Sequence, residues 1–366
     1  MPSVDPRTPV LVGVGQFTER IDDPGYRGMS AVDLATEAVR AALADTGADV
    51  TGVAQAIEVF AGLRQFEICT PFAKPPLGCS DNYLRSVARR VGADPARAVL
   101  ESIGGNGPQK LVTEFARAIA AGDAEVVLVL GSEPGSTAKY FAGRDNKPDF
   151  TEHVGGQLED RGYGFEQYMN EYTATHGLTG APVQYGLLDN ARRARSGVGV
   201  EDYRRDMAEL FAPFSKIAAK NPFSSSPVER SVSELMTVTD ENRMICDPYP
   251  RLMVARDTVN QGAAAVMMSV EAARRLGVAE EKWVYLRGHA DQTEQALLDR
   301  TDLHLSYSAR NAVAEALQVA GIDVDDVATF DLYSCFPFPV FAVCDAFGLA
   351  SDDPRGLTLT GGLPYF

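Results

Sequence analysis

The sequence predicts an α/β protein whose parallel sheets are covered by helices, in two related halves with a lobe inserted into the first. Three observations predict it. Short apolar runs such as Val126-Val127-Leu128-Val129-Leu130 alternate with stretches of helical apolar spacing. Ala38 to Val50 aligns without a gap with Ala312 to Val324. The two stretches share Ala, Val, Ala, Leu, Gly, Asp and Val, and a strand-like run follows each, which favours duplication. From Gly135 to about Lys220 the apolar runs stop, and aromatic and charged residues interleave with glycines.

The elements follow in order. Pro9 to Gln16 is a buried strand; its Gly13-Val14-Gly15 lacks the third glycine and following helix of a dinucleotide fingerprint. Ser30 caps a helix running to Asp45, with Leu34, Ala38, Ala41 and Ala42 as its stripe and Gly47 as its stop. Ala56 to Phe60 is a strand, and Tyr83 to Val91 is a short arginine-rich helix. Ala98-Val99-Leu100 ends another strand. Leu111 to Ala121 is a helix with Leu111, Phe115, Ala118 and Ile119 on one side, stopped by Gly122-Asp123. In the lobe, Gly164 to His176 and Pro182 to Ser196 are helices, and Asn221 to Pro227 is the returning loop. Gly262 to Ser269 is a strand and Glu271 to Leu276 a helix. Then the pattern restarts: strand Trp283 to Gly288, helix Ser308 to Ala320 ended by Gly321, strand Thr329 to Tyr333. The predicted domains are 1–134 with 221–272, the inserted lobe 135–220, and a second half 273–366.

Composition excludes some functions. A formal net charge of −16 over 366 residues argues against a general nucleic-acid binder and against anionic membrane surfaces. A polyanionic ligand would need a local basic patch. No membrane span and no signal peptide are legible. The five cysteines are scattered and form no CxxC pair, and the four histidines match no ligand spacing, so neither disulfides nor a metal site is indicated. The chain reads as cytosolic.

The turn Ser102-Ile103-Gly104-Gly105-Asn106-Gly107-Pro108-Gln109 lies between a strand and a helix N-terminus. Such a turn admits a ligand close to the backbone and aims free N–H groups at negative charge. It also reads as a plain tight turn with Pro108 opening the helix. Tyr333-Ser334-Cys335-Phe336 ends the last strand, where ligands of α/β sheets bind.

Strand, glycine turn, a helix ending in Ala-Gly-Asp-Ala-Glu and a strand ending in Gly-Ser-Glu resemble the thiolase superfamily in its sterol-carrier-type branch. So do Asn221-Pro222-Phe223-Ser224 and Asn260-Gln261-Gly262-Ala263-Ala264-Ala265. The resemblance is nearest to the thiolase-like protein type 1 group, which lacks the catalytic cysteine. It covers nearly the whole chain and implies a thiolase fold of duplicated mixed or parallel sheets layered with helices, plus an inserted loop domain. In that family the glycine turn begins with the nucleophilic cysteine. Matching the turn glycines puts Gly104 there; matching the helix end puts Gly105 there.

The resemblance further implies that Gly104, Gly105 and Asn106 receive a thioester oxygen. It implies that Tyr333 and Ser334 stand where the family has histidine and aspartate, with Tyr333 a candidate donor or acid/base. It implies that the lobe cations Arg192, Arg193, Arg195, Lys216 and Lys220 meet the nucleotide end of coenzyme A; a solvated helix face with nearby acids is the alternative. Gly361-Gly362 matches a pair that precedes further catalytic segments in the family, so a truncated C-terminal part is expected.

Three functions follow. One is binding or acting on acyl-CoA, in the manner of lipid metabolism, without ordinary thiolase activity. Another is a carbon–carbon lyase using Tyr333 with a partner protein of oligonucleotide-binding-type fold. The third is a non-catalytic scaffold. A homodimer across Ala98-Val99-Leu100 is possible by the same resemblance.

Overall fold

Strands that are apolar on both sides need cover on both sides, and this sequence supplies it with helices. The computed structural model describes residues 4–164 and 170–366. In chain order the elements are β1 Pro9–Glu19, α1 Ala31–Asp45, α2 Val50–Ala56, β2 Val59–Leu63, α3 Tyr83–Arg90, β3 Arg97–Glu101, α4 Gly107–Ala121, β4 Val126–Pro134 and α5 Gly135–Phe141. Then come β5 Glu159–Asp160, α6 Glu171–Thr175, α7 Ala181–Ser196, α8 Val200–Ala218, α9 Val232–Met236, β6 Met244–Cys246 and β7 Tyr249–Pro250. The last are β8 Asn260–Ser269, α10 Val270–Arg275, β9 Val284–Tyr285, α11 Tyr307–Ala320 and α12 Pro337–Phe347.

The chain packs as two units, one of residues 1–165 with 258–286 and one of 166–257 with 287–366. This division follows packing and not repetition, so the three-part boundaries read from the sequence remain an expectation. The first unit holds a seven-stranded mixed sheet in the order β5-β3-β2-β4-β8-β1-β9. β5, β3, β2 and β4 run parallel; β8 is antiparallel to β4 and to β1. Alternation sends Phe60, Leu100, Leu128 and Val266 to the α1 and α3 face, and Val59, Val99, Val127 and Met267 to the α4 face. Ser30 caps α1 as predicted, accepting the Asp33 N–H at 3.1 Å. Helix α1 lies unusually close to the sheet because β1 is glycine at two inward points. A Cβ at Gly13 would stand 2.3 Å from Ala42 O, and one at Gly15 would stand 2.0 Å from Ala38 O. Gly13-Val14-Gly15 is therefore a packing device.

The second unit is mainly helical. Tyr203, Met207, Leu210, Phe211 and Phe214 of α8 are buried and pack with Val340, Phe341 and Cys344 of α12. Asp189 of α7 is fully buried; it accepts hydrogen bonds from Tyr203 Oη at 2.5 Å and from Tyr249 Oη. Burial pushes its carboxyl up to about 6, although both tyrosines and the Arg192 charge oppose that rise.

Several sequence expectations need correction. Thr329 to Tyr333 is not a strand: a strand exists by pairing, and its Leu332 N–H finds only the Leu357 carbonyl, at 3.0 Å. The predicted strand Trp283 to Gly288 contracts to Val284–Tyr285 for the same reason, pairing only with Val10 and Leu11. The strand expected from Ala56 begins at Val59, because Asp49 caps a helix that runs to Ala56. Helices α8 and α12 were not foreseen. Part of the predicted helix Gly164 to His176 falls outside the described residues, and its described part is helical over Glu171–Thr175. The repeat is real as a pair of helices, yet α1 buries nine residues and α11 buries none.

Candidate functional site

In the first unit the glycine turn joins β3 to α4, which begins at Gly107. Gly107 N–H donates to Gly104 O at 3.0 Å, which tightens the turn. Gly105 and Asn106 are exposed at the helix start, where backbone N–H groups carry partial positive charge. The turn is braced by the segment from Asp160 to Gly164. Ile103 N–H donates to Tyr163 O at 3.3 Å, and Gly164, at φ +75°, leaves no room for a side chain against Ser102. Arg64 donates to Gly162 O at 3.0 Å, pairs with Asp160 and sits 4.4 Å over the Tyr163 ring.

Beneath the turn, Glu101 is 3% exposed and accepts from Lys110 Nζ and Arg161 Nη1, each at 3.0 Å. Burial raises this carboxyl, but those cations and Ser102 outweigh it, so it lies below its ordinary range. It is a charged anchor for the turn. No side chain of Gly104 or Gly105 exists to attack a thioester; what the turn offers is backbone donors.

A second feature of this unit was missed by sequence reasoning. A cleft lined by Ser30, Gln65, Glu67, Cys79, Tyr83 and Thr137 lies past the C-terminal ends of β2 and β4. Glu133 at the end of β4 accepts the Phe66 N–H at 3.1 Å. Burial pushes Glu133 up to about 8 and Glu67 up to about 7, and the Glu67 charge adds to the rise at Glu133. Only the Gly-Ser-Glu strand end hinted at it, since burial of two acids from separate segments, the end of β4 and the turn after β2, leaves no local pattern.

The second unit holds the other predicted residues. Tyr333 is 48% exposed, while Ser334 is buried and its Oγ accepts the Leu363 N–H at 3.2 Å, fixing the Gly361-Gly362 segment. The Tyr333 and Tyr185 hydroxyls lie beside the Cys335 thiol, which burial pushes up to about 11. Cys335 thus stays a protonated, buried thiol. The lobe cations differ in how far they are already engaged. Arg192 is committed to Asp345 through two bonds of 2.7 and 2.8 Å and lies 4.0 Å over the Phe341 ring. Arg193 donates to Asn190 Oδ1 at 3.2 Å. Arg195, Lys216 and Lys220 are exposed, the lysines near the C-terminus of α8, where cations are favoured.

Among the described residues no helix is long and apolar enough to cross a membrane. No group of histidine, cysteine, aspartate and glutamate among them could hold a metal ion.

No protein-family model matches the chain, and no curated protein matches it. Solved structures do. The chain is 60% identical to a monomeric SCP2-thiolase-like protein type 1 (STLP1) from Mycobacterium smegmatis, with a TM-score of 0.81; the match covers 100% of this chain and 68% of that one. It is 18% identical to the Ltp2-ChsH2(DUF35) aldolase, with a TM-score of 0.71 over 99% of this chain and 86% of that one. It is 14% identical to human mitochondrial 3-ketoacyl-CoA thiolase, with a TM-score of 0.63 over 98% and 89%. The last two likenesses are of fold alone.

Proposed function

The chain belongs to the thiolase superfamily, in the branch of sterol-carrier-type thiolase-like proteins, and from that premise we propose that it binds an acyl-CoA thioester without cysteine chemistry. The observation that carries this reading is the β3–α4 turn, which presents Gly104, Gly105 and Asn106 with no nucleophile. Cleaving or forming a 3-ketoacyl thioester by acyl transfer needs a thiolate to hold the acyl group. Cys335 is no replacement, because its buried thiol titrates far above neutral pH. The exposed amides of Gly105 and Asn106 can still polarise a thioester carbonyl. Of the lobe cations, the exposed Arg195, Lys216 and Lys220 suit the phosphates of coenzyme A better than Arg192, whose guanidinium already holds Asp345.

Calorimetric titration of coenzyme A and acetyl-CoA into the natural full-length protein tests this. Micromolar binding that weakens in Arg193→Ala and Arg195→Ala supports it. Absence of binding to folded protein overturns it and favours a scaffold. Rapid coenzyme A-dependent cleavage of a 3-ketoacyl thioester would overturn the second half of the reading.

The half-exposed Tyr333 side chain favours one catalytic version, a carbon–carbon lyase acting on a 3-hydroxyacyl thioester. Tyr333 as its phenolate would take the hydroxyl proton, the bond between C2 and C3 would break with its electrons flowing to the thioester enolate, and the proton would return to C2. A carbonyl compound and a shortened thioester leave, so the step balances without an added oxidant. Tyr333→Phe is then expected to lower lyase turnover about 100-fold or more while leaving acetyl-CoA affinity within about twofold. A partner with an oligonucleotide-binding-type fold belongs to this version, and co-purification with the natural protein is its check.

A further inference from the structure

Three carboxylates converge on one guanidinium next to the glycine turn. Arg161 donates to Glu101 Oε2 at 3.0 Å, to the two oxygens of Glu114 at 2.6 and 2.7 Å, and to Glu159 Oε1 at 2.9 Å. Its backbone N–H donates to Leu100 O at 3.0 Å. The three acids lie on different elements: Glu101 ends β3, Glu114 is on α4 and Glu159 is on β5. Arg161 thus ties together the two elements that the turn connects. Lys110 reaches Glu101 at 3.0 Å and Arg97 reaches Glu159 at 2.8 Å, so three cations balance the three acids.

The first residue of the turn hangs on this cluster. Ser102 N–H and Ser102 Oγ donate to Glu101 Oε1 at 2.9 and 3.0 Å, and Arg161 holds the other oxygen of that carboxylate. The backbone after Arg161 clasps the same place. Tyr163 O accepts the Ile103 N–H, and a Cβ at Gly164 would stand 2.9 Å from Ser102 Cβ. Glu101 is buried and directly precedes the turn. Left alone, its charge would repel negative charge gathering on an oxygen held at Gly105 and Asn106. A guanidinium stays charged at every pH at which a protein is folded, so the compensation is permanent.

We propose that Arg161 is a positioning residue for the thioester site. It locks β3, α4 and the 159–164 strap into one arrangement and cancels the Glu101 charge, so that the turn amides can receive an oxygen that is becoming negative. The inference rests on the acyl-CoA reading given above and places control of that site in a residue outside the turn. Substituting Arg161 by a neutral residue leaves three acids facing two cations and frees the strap at its centre.

The test is acetyl-CoA titration and amide hydrogen exchange on the natural full-length protein. Arg161→Gln should weaken acetyl-CoA binding about tenfold and speed exchange at Ile103 about tenfold or more, while the β4 amides keep their rates. Adding Glu101→Gln removes the stranded charge, so the double variant should bind within about threefold of the natural protein. A residue that served folding alone would show no such rescue. Gly164→Ala leaves every charge in place and crowds Ser102. It should also speed exchange at Ile103 and weaken acetyl-CoA, and it carries the result if Arg161→Gln fails to fold. The proposal is overturned if Arg161→Gln binds acetyl-CoA within about twofold of the natural protein, if the double variant binds no better than the single one, or if exchange at Ile103 is unchanged in both single variants. A natural protein that binds no acetyl-CoA overturns the acyl-CoA reading instead, and exchange at Ile103 then decides by itself whether Arg161 holds the turn.

Discussion

Glu133 closes β4 with a carboxyl that burial keeps protonated at neutral pH. Its folded pKa of about 8 lies above the ordinary 4.5, so the folded state holds the proton more tightly than the unfolded chain does. Stability from this group is therefore full below the ordinary carboxylate range and is lost as pH rises towards 8. Glu67, raised to about 7, acts in the same direction over a narrower window. Glu133→Gln should leave thermal stability nearly unchanged at pH 5 and raise it by about 2–4 °C at pH 8. An equal effect at both pH values would show that the carboxyl does not titrate in this window. Asp189 makes the opposite case, a buried acid that its partners need. With Tyr203, Tyr249 and the Phe338 N–H all donating to it, Asp189→Ala should cost about 3 kcal/mol in urea unfolding, and a loss under about 1 kcal/mol would refute its role as a tie.

At the level of elements, the closest approach is α1 on β1. Gly15→Ala would drive a methyl to 2.0 Å from Ala38 O, so about 1–3 kcal/mol of stability should be lost, with the chemical-denaturation midpoint as the measure. The same exchange at Gly47, where a Cβ meets nothing, should cost only the backbone strain of an L residue at φ +69°, about 1 kcal/mol. Strands β1, β2, β3, β4 and β8 were legible because each carries a dense apolar run, and α1 and α4 because a serine cap or a glycine stop marks them; β5, made of two acids, was not. Helix α8 was hidden by Pro213 within it and by its paired arginines, although Tyr203, Met207, Leu210 and Phe214 keep helical spacing. Helix α12 was hidden by being apolar nearly all round, from Phe336 to Cys344, which mimics a buried strand. Of the candidate site, the missing nucleophile was readable at Gly104 and Gly105. The Arg192–Asp345 pair was not, because its members lie 153 residues apart.

For the whole molecule the question is how a sheet avoids meeting other sheets. One edge ends in β9, only two residues long. At the other edge β5 covers β3, pairing Glu159 with Val99 and Asp160 with Leu100. Two residues of the edge that the family resemblance offers for a homodimer are thus paired within the chain, and the expected outcome of light scattering is a full-length protein that is monomeric over a wide concentration range. A stable dimer would contradict this. Apolar contact contributes little to the cover. Both β5 residues are exposed acids, held by Arg97 at 2.8 Å, by Arg161, which also grips Glu101 and Glu114, and by Arg64. Such a fastening is weakened by mobile ions, which screen charges over roughly 3 Å at 1 M salt. Concentrated brine, usually chosen to keep an acidic protein dispersed, should here loosen the flap, bare the β3 backbone and turn a solitary molecule into a sticky one.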